Sequence, residues 1–366
     1  MSGLPRNVTL HLTENCNLRC EMCYFWGISG CYSSTGSSSR PKVLDFQLVK
    51  NLINDLQETK PSYSLFGGEP LLYPQFEELI KEIKKGGSYL DTPTNGTLIA
   101  QKARMLVRSG FDSVRVSIDG PKKINDKQRG KGSYERAMKG IEILYGEKLR
   151  NQSKTPSISI IYTITTSNFD ELKQFFLEDL NIKYIDWVTI QMQNFITKEM
   201  GEAYSKFLKS EFGEDSNLYW SGLERSKDDF SKIDVIELSR QVKEVHKVLA
   251  EHNKNILLLP PTFSTQNLRA YINAEWDKMQ DQYNACYSPF VSVDIVANGD
   301  VAPCHIFYDL VMGNLHEQSI KEIWSSNRYI KFRAIMKRQN FMPICSGCCI
   351  LYLSGKKRKK KDVKSN

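Results

Sequence analysis

The chain has 366 residues, 40% of them hydrophobic and 25% charged, which excludes a disordered, collagen-like or disulfide-stapled mini-protein and fits two or three domains. No run reaches the roughly 20 apolar residues of a membrane helix, and residues 1–25 lack the order of a secretion signal, so the chain reads as cytoplasmic with no membrane partner. Of the net charge of +8, residues 356–366 supply seven basic residues against one acidic; a run so self-repelling reads as a solvated tail, and nucleic acid is not indicated as a partner.

Between residue 7 and about residue 194, strand-like and helix-like patterns alternate. Apolar strand-like runs fall at residues 8–12, 63–66, 89–94, 113–118, 158–164 and 187–192. Helical spacing of apolar residues occupies 46–56, 76–83, 103–107, 134–144 and 169–176. This alternation predicts an α/β fold of parallel strands with right-handed crossovers, either an open sheet or a partial or full barrel. In each arrangement the catalytic groups gather at the carboxyl ends of the strands.

Four units follow from the patterning: residues 1–194 as the strand-and-helix unit, 195–285 as a charged, cysteine-free helical insertion or bridging region, 286–353 as a cysteine-bearing module, and 354–366 as a disordered basic tail. Within the first, the Ser- and Gly-rich stretch 30–41 reads as a loop, either a lid or a plain linker. Within the third, residues 291–296 are strand-like, Asn298, Gly299 and Asp300 form a turn, and residues 320–324 are helical.

Nine cysteines fall in two groups: Cys16, Cys20, Cys23 and Cys31 near the start, and Cys286, Cys304, Cys345, Cys348 and Cys349 near the end. Spacings of two and three residues in a reducing compartment argue for metal ligation or redox chemistry before disulfides. The first group is a CxxxCxxC directly after a strand-like run. Three thiolates so close can hold three irons of a cubane cluster, leaving one iron for another ligand, since such clusters ordinarily take four thiolates. The competing readings are a zinc site with Cys31 or His11 as fourth ligand, and plain buried thiols.

With the run Gly67, Gly68, Glu69, Pro70 after the second strand-like segment, this motif resembles the radical S-adenosylmethionine (SAM) enzymes. The resemblance implies a partial (β/α)6 barrel and a [4Fe-4S] cluster on Cys16, Cys20 and Cys23 whose open iron is chelated by SAM. It further implies that the Gly67–Gly68–Glu69 backbone and carboxylate hold the methionine ammonium, and that Ser117 faces the ribose. Arg129 is placed to meet the SAM carboxylate, and Asn95 lies in the run ending the third strand. One of Gln191 and Gln193 faces the lumen, and Gln191 is taken as the SAM or substrate contact. Met22 stands where the family usually has an aromatic residue, with Tyr24 just beyond.

The second group resembles the family's SPASM and Twitch modules. A full SPASM module uses seven cysteines for two clusters, and five are present, which favours one auxiliary [4Fe-4S] cluster on Cys286, Cys304, Cys345 and Cys348, with Cys349 able to replace Cys348 as ligand. A zinc site is the competing reading. Cys31 and Cys349 are left over as candidate hydrogen-atom donors to a carbon radical.

The resemblance implies a reduced cluster that splits SAM into methionine and a 5′-deoxyadenosyl radical, fed by an external reductant such as flavodoxin or ferredoxin. The first functional reading is an oxidoreductase: the radical takes a substrate hydrogen atom and the auxiliary cluster accepts the remaining electron, on a small-molecule substrate of the sugar or aminocyclitol type. The alternatives are an epimerase using Cys349 or Cys31, and a ribosomal-peptide maturase. A first strand so near residue 1 leaves no room for a leader-binding domain, which weighs against the last.

Overall fold

Apolar runs separated by amphipathic helices bury both their faces only when the strands pair in parallel under a helical layer. The computed structural model, which describes residues 3–34, 41–216 and 219–357, follows that rule. Its strands are β1 (Asn7–Thr13), β2 (Ser62–Gly67), β3 (Leu90–Thr94), β4 (Ser113–Ser117), β5 (Ser157–Ile164), β6 (Trp187–Met192), β7 (Asn255–Leu259), β8 (Tyr283–Cys286), β9 (Ser292–Ile295), β10 (Asp300–Ala302), β11 (Gly313–Asn314) and β12 (Gly355–Lys357). Ten of them form one sheet, ordered β11-β10-β9-β1-β2-β3-β4-β5-β6-β7. From β1 to β7 every neighbouring pair is parallel, which gives the expected barrel core.

The helices cover this core with the faces their spacing predicts. In Phe46–Leu56, Asp45 caps the first turn by accepting from the Gln47 and Leu48 amides, and Val49, Leu52 and Leu56 turn inward. Each such aliphatic side chain contributes about 1.5–3 kcal/mol when fully buried. Residues 169–176 depart from the expected helix: Leu172–Gln174 opens into the π-helical turn Phe175–Asp179. The wider turn lets two consecutive rings, Phe175 and Phe176, both lie fully inside against Tyr162.

Helices Lys198–Phe212, Val235–Glu251 and Thr265–Ile272 account for much of the region read as a helical insertion. That region also adds β7, a five-residue strand whose four-residue apolar run is of the kind periodicity does not separate from helix. β9 pairs in parallel with β1, Leu10 opposite Ile295, so the cysteine-bearing module continues the same sheet. Gly355–Lys357, read as the start of the tail, instead pairs antiparallel with β8 beside Cys286. The expectations for residues 35–40 of the Ser- and Gly-rich stretch and for tail residues 358–366 lie outside the described residues. Among the described residues no helix is long and apolar enough to cross a membrane.

Candidate active site and two cysteine centres

The carboxyl ends of β1 to β6 open on one cavity. Cys16, Cys20 and Cys23 line it, together with Gly67, Gly68, Glu69, Asn95, Ser117, Arg129 and Gln191. All the residues expected to hold the first cluster and SAM therefore meet at one place. Gln193 lines it as well, because residues two apart along a strand direction share a face.

The glycines are there for close approach. Gly67 adopts a φ of +120°, and a Cβ on Gly68 would stand 2.1 Å from the Asn15 carbonyl oxygen. The Gly68 amide donates to Thr13 O and the Glu69 amide to Asn15 O, both at 2.7 Å, which sews this turn to the strand end that leads into Cys16. Gly68→Ala is expected to spread that seam and weaken SAM binding at least tenfold, about 1.4 kcal/mol, measured by equilibrium binding to the reconstituted protein. Unchanged affinity would count against this placement of SAM.

Glu69 is 1% exposed, and its carboxylate accepts from the Leu71 amide (3.1 Å), the Thr94 hydroxyl (2.7 Å) and the Asn95 amide (2.9 Å). Burial pushes its carboxyl up, and these donors pull the other way. Three of its roughly four acceptor positions are spent, so one remains for a cation in the cavity. The Asn95 side chain is occupied: its Nδ2 donates to Asn17, and its oxygen accepts from the Thr97 amide and hydroxyl. It ties the Cys16–Cys20 loop to the end of β3.

Arg129 is held by Asp119, ten residues before it. Its Nε donates to Asp119 Oδ2 at 2.5 Å, and Asp119, fully buried, also accepts from Gln128 Nε2 and the Thr163 amide. Burial alone would lower the guanidinium's proton affinity; the charge of Asp119 and its hydrogen bond more than reverse this and hold it charged. Cys20 is pushed up to about 12 by burial, against the pull of Arg129.

None of the nine cysteines is in a disulfide. In the second group Cys286, Cys304, Cys345 and Cys348 are all buried; burial pushes the thiols of Cys286, Cys304 and Cys345 up, and Cys286 adds to the rise at Cys304 and Cys345. Cys349 points another way. Asn194 Nδ2 donates to its sulfur at 3.1 Å, and a hydrogen bond shared with Cys348 holds Cys349 down at about 6 and its neighbour well up. Cys31 sits instead among Phe25, Val296 and Tyr308.

Tyr24, Asn194 and Leu223 line both the main cavity and a small pocket reaching Cys348 and His305. No sequence motif marks Asn194. The Tyr24 hydroxyl and Asn194 Oδ1 are buried without a hydrogen-bond partner among the described residues. Orphans of this kind cost about 1–3 kcal/mol each, so this wall suits a group from outside the chain. Three thiols on one cavity and four in a buried nest are soft donor sets that fit iron-sulfur clusters. Among the described residues no three His, Cys, Asp or Glu side chains converge on a single ion, whereas a cubane spaces its ligands over several irons.

Residues 10–177 match the Radical SAM superfamily, and residues 286–349 match the SPASM iron-sulfur cluster-binding domain. The chain is 24% identical over 363 residues to the tungsten-containing aldehyde ferredoxin oxidoreductase cofactor-modifying protein of Pyrococcus furiosus, covering 93% of this chain and 86% of that one. It is 32% identical over 175 residues to the mycofactocin maturase MftC of Mycolicibacterium smegmatis, covering 47% of this chain and 41% of the relative. Streptococcus suis SuiB, solved bound to SAM, shares the fold with a TM-score of 0.63 at 17% identity, over 95% of this chain and 73% of that one.

Proposed function

This chain carries a radical SAM domain and a C-terminal SPASM iron-sulfur domain, and on that footing we propose that it is an oxidoreductase that matures a peptide. The observation that supports oxidation is the shared wall: the cavity of Cys16, Cys20 and Cys23 and the pocket at Cys348 have Tyr24, Asn194 and Leu223 in common. When bound, the first cluster and SAM supply the means of removing a hydrogen atom from an unactivated carbon.

The chain's own residues do the rest. Glu69 and the Gly67–Gly68 backbone hold the SAM ammonium, Arg129, fixed by Asp119, meets its carboxylate, and Ser117 and Gln191 face the remaining cavity. The thiols of Cys286, Cys304, Cys345 and Cys348 hold a single acceptor for the electron that the substrate gives up as it also loses a proton, so the substrate loses two electrons in all. An external one-electron donor starts each turnover. A peptide substrate is supported by a neighbour of the same fold, SuiB, solved with its precursor peptide, and maturation by the name of the maturase relative.

The test is anaerobic turnover of the reconstituted protein with SAM, reductant and peptides encoded beside its gene, followed by mass spectrometry. A peptide lighter by two hydrogens, formed with 5′-deoxyadenosine, is expected. Oxidation of an aminocyclitol or sugar instead would return the substrate to the small-molecule class, and solvent deuterium gained at unchanged oxidation state would make the enzyme an epimerase. Cys349→Ala and Cys31→Ala separate the last case: oxidation continues in both, whereas loss of a hydrogen donor would stop inversion while SAM cleavage persists.

A further inference from the structure

A group of titratable side chains lies behind the cavity wall, outside the site described above. His11 Nε2 on β1 stands 3.4 Å from Asp294 Oδ2 on β9 and 2.9 Å from the Tyr308 hydroxyl, which is itself 3.4 Å from the same carboxylate oxygen. The three residues are 3%, 3% and 6% exposed. Rings of Phe25 and Phe66 close over the imidazole at 6.0 and 5.1 Å, and Phe66 also lines the main cavity.

Proton counting shows what this triangle can do. If Nε2 is bare, only the Tyr308 hydrogen serves three edges, and a bare nitrogen faces a carboxylate. With hydrogen on Nε2, the ring donates along one edge, Tyr308 donates to Asp294, and Nδ1 is left as the basic nitrogen of the ring. One more proton there completes an imidazolium beside a buried carboxylate. Burial holds His11 below the ordinary imidazole range, Asp294 pulls it back up, and His305 pushes it down. The other titratable groups facing the trio are Tyr24, Tyr32 and Cys304, all felt at Tyr308. The balance is therefore set by local charge, and Asp294 also acts on Cys304, adding to the burial that raises that thiol.

We propose that the His11–Asp294–Tyr308 trio takes up one solvent proton when the centre held by Cys286, Cys304, Cys345 and Cys348 takes up one electron. The electron comes from the oxidised substrate, whose own proton leaves to solvent, so the buried region gains one electron and one proton and its net charge is unchanged. Uncompensated charge in a low-dielectric interior is costly, and His11 is the group placed to offset it. The inference rests on the auxiliary centre and not on the peptide reading: absence of a peptide product leaves it standing, and its own failure leaves the peptide reading untouched.

The experiment is a potentiometric titration of the full-length protein followed by electron paramagnetic resonance. Cys16, Cys20 and Cys23 are replaced by alanine so that only the auxiliary centre contributes. Its midpoint is expected to fall by about 59 mV for each tenfold drop in proton concentration, the one-electron, one-proton slope, over at least one pH unit near neutrality. In the same background His11→Gln, which keeps a hydrogen-bonding side chain but takes no proton there, gives a flat profile. A flat profile with His11 intact overturns the proposal, and so does an equal slope in the His11→Gln protein. A merely structural role for the trio moves neither slope.

Discussion

Cys20→Ala abolishes SAM cleavage: 5′-deoxyadenosine release falls by at least about a thousandfold, roughly 4 kcal/mol or more in the barrier, and the reconstituted protein loses the iron of its first centre while keeping that of the second. The reason is local. Cys20 shares the cavity with Cys16 and Cys23, and its thiol, raised to about 12 by burial, becomes a thiolate only when metal binding displaces the proton. A methyl group offers no ligand, and two thiols do not retain a cluster that already leaves one iron to SAM. Iron analysis, visible absorbance and chromatography of the cleaved nucleoside read the result together. Retention of full cleavage would remove the first centre from its assigned ligands.

Asp119→Ala is the second large effect. Asp119 is fully buried and accepts from Arg129, Gln128 and the Thr163 amide. Removing it strands a buried guanidinium and two further donors, and breaking such a pair costs about 3–5 kcal/mol. Urea denaturation of the cluster-free protein measures the loss. Asp119→Asn, which keeps an acceptor oxygen but not the charge, is expected to lose less. A loss below about 1 kcal/mol would mean that Arg129 finds another partner and that the aspartate is dispensable to the wall it supports.

The parts of this molecule that could be read from sequence are those whose cause is local. CxxxCxxC and GGEP are short runs, and the backbone approach that requires Gly68 occurs between residues fifty-odd positions apart but announces itself in the glycine. The six strand runs were visible because parallel strands buried on both faces are almost continuously apolar. What could not be read depends on distant segments meeting. Asn194 acquires significance only because Cys349, 155 residues later, packs against it. His11 enters the sequence reading only as a possible zinc ligand, because Asp294, the carboxylate beside it in the fold, lies 283 positions away. β7 reads as part of a helical region because its four consecutive apolar residues, 256–259, carry no period, and only its pairing with β6 declares it a strand.

The placement of β9 against β1 also bears on how the chain is made. On a ribosome β1 can pair with β2 once residues 62–67 have emerged, but its other edge stays bare until residues 292–295 follow. An open row of amides and carbonyls is a template for pairing with a neighbouring nascent chain. A truncation ending near residue 285 would therefore leave a permanent sticky border, and that fragment, with the four N-terminal cysteines, should precipitate where the longer polypeptide does not.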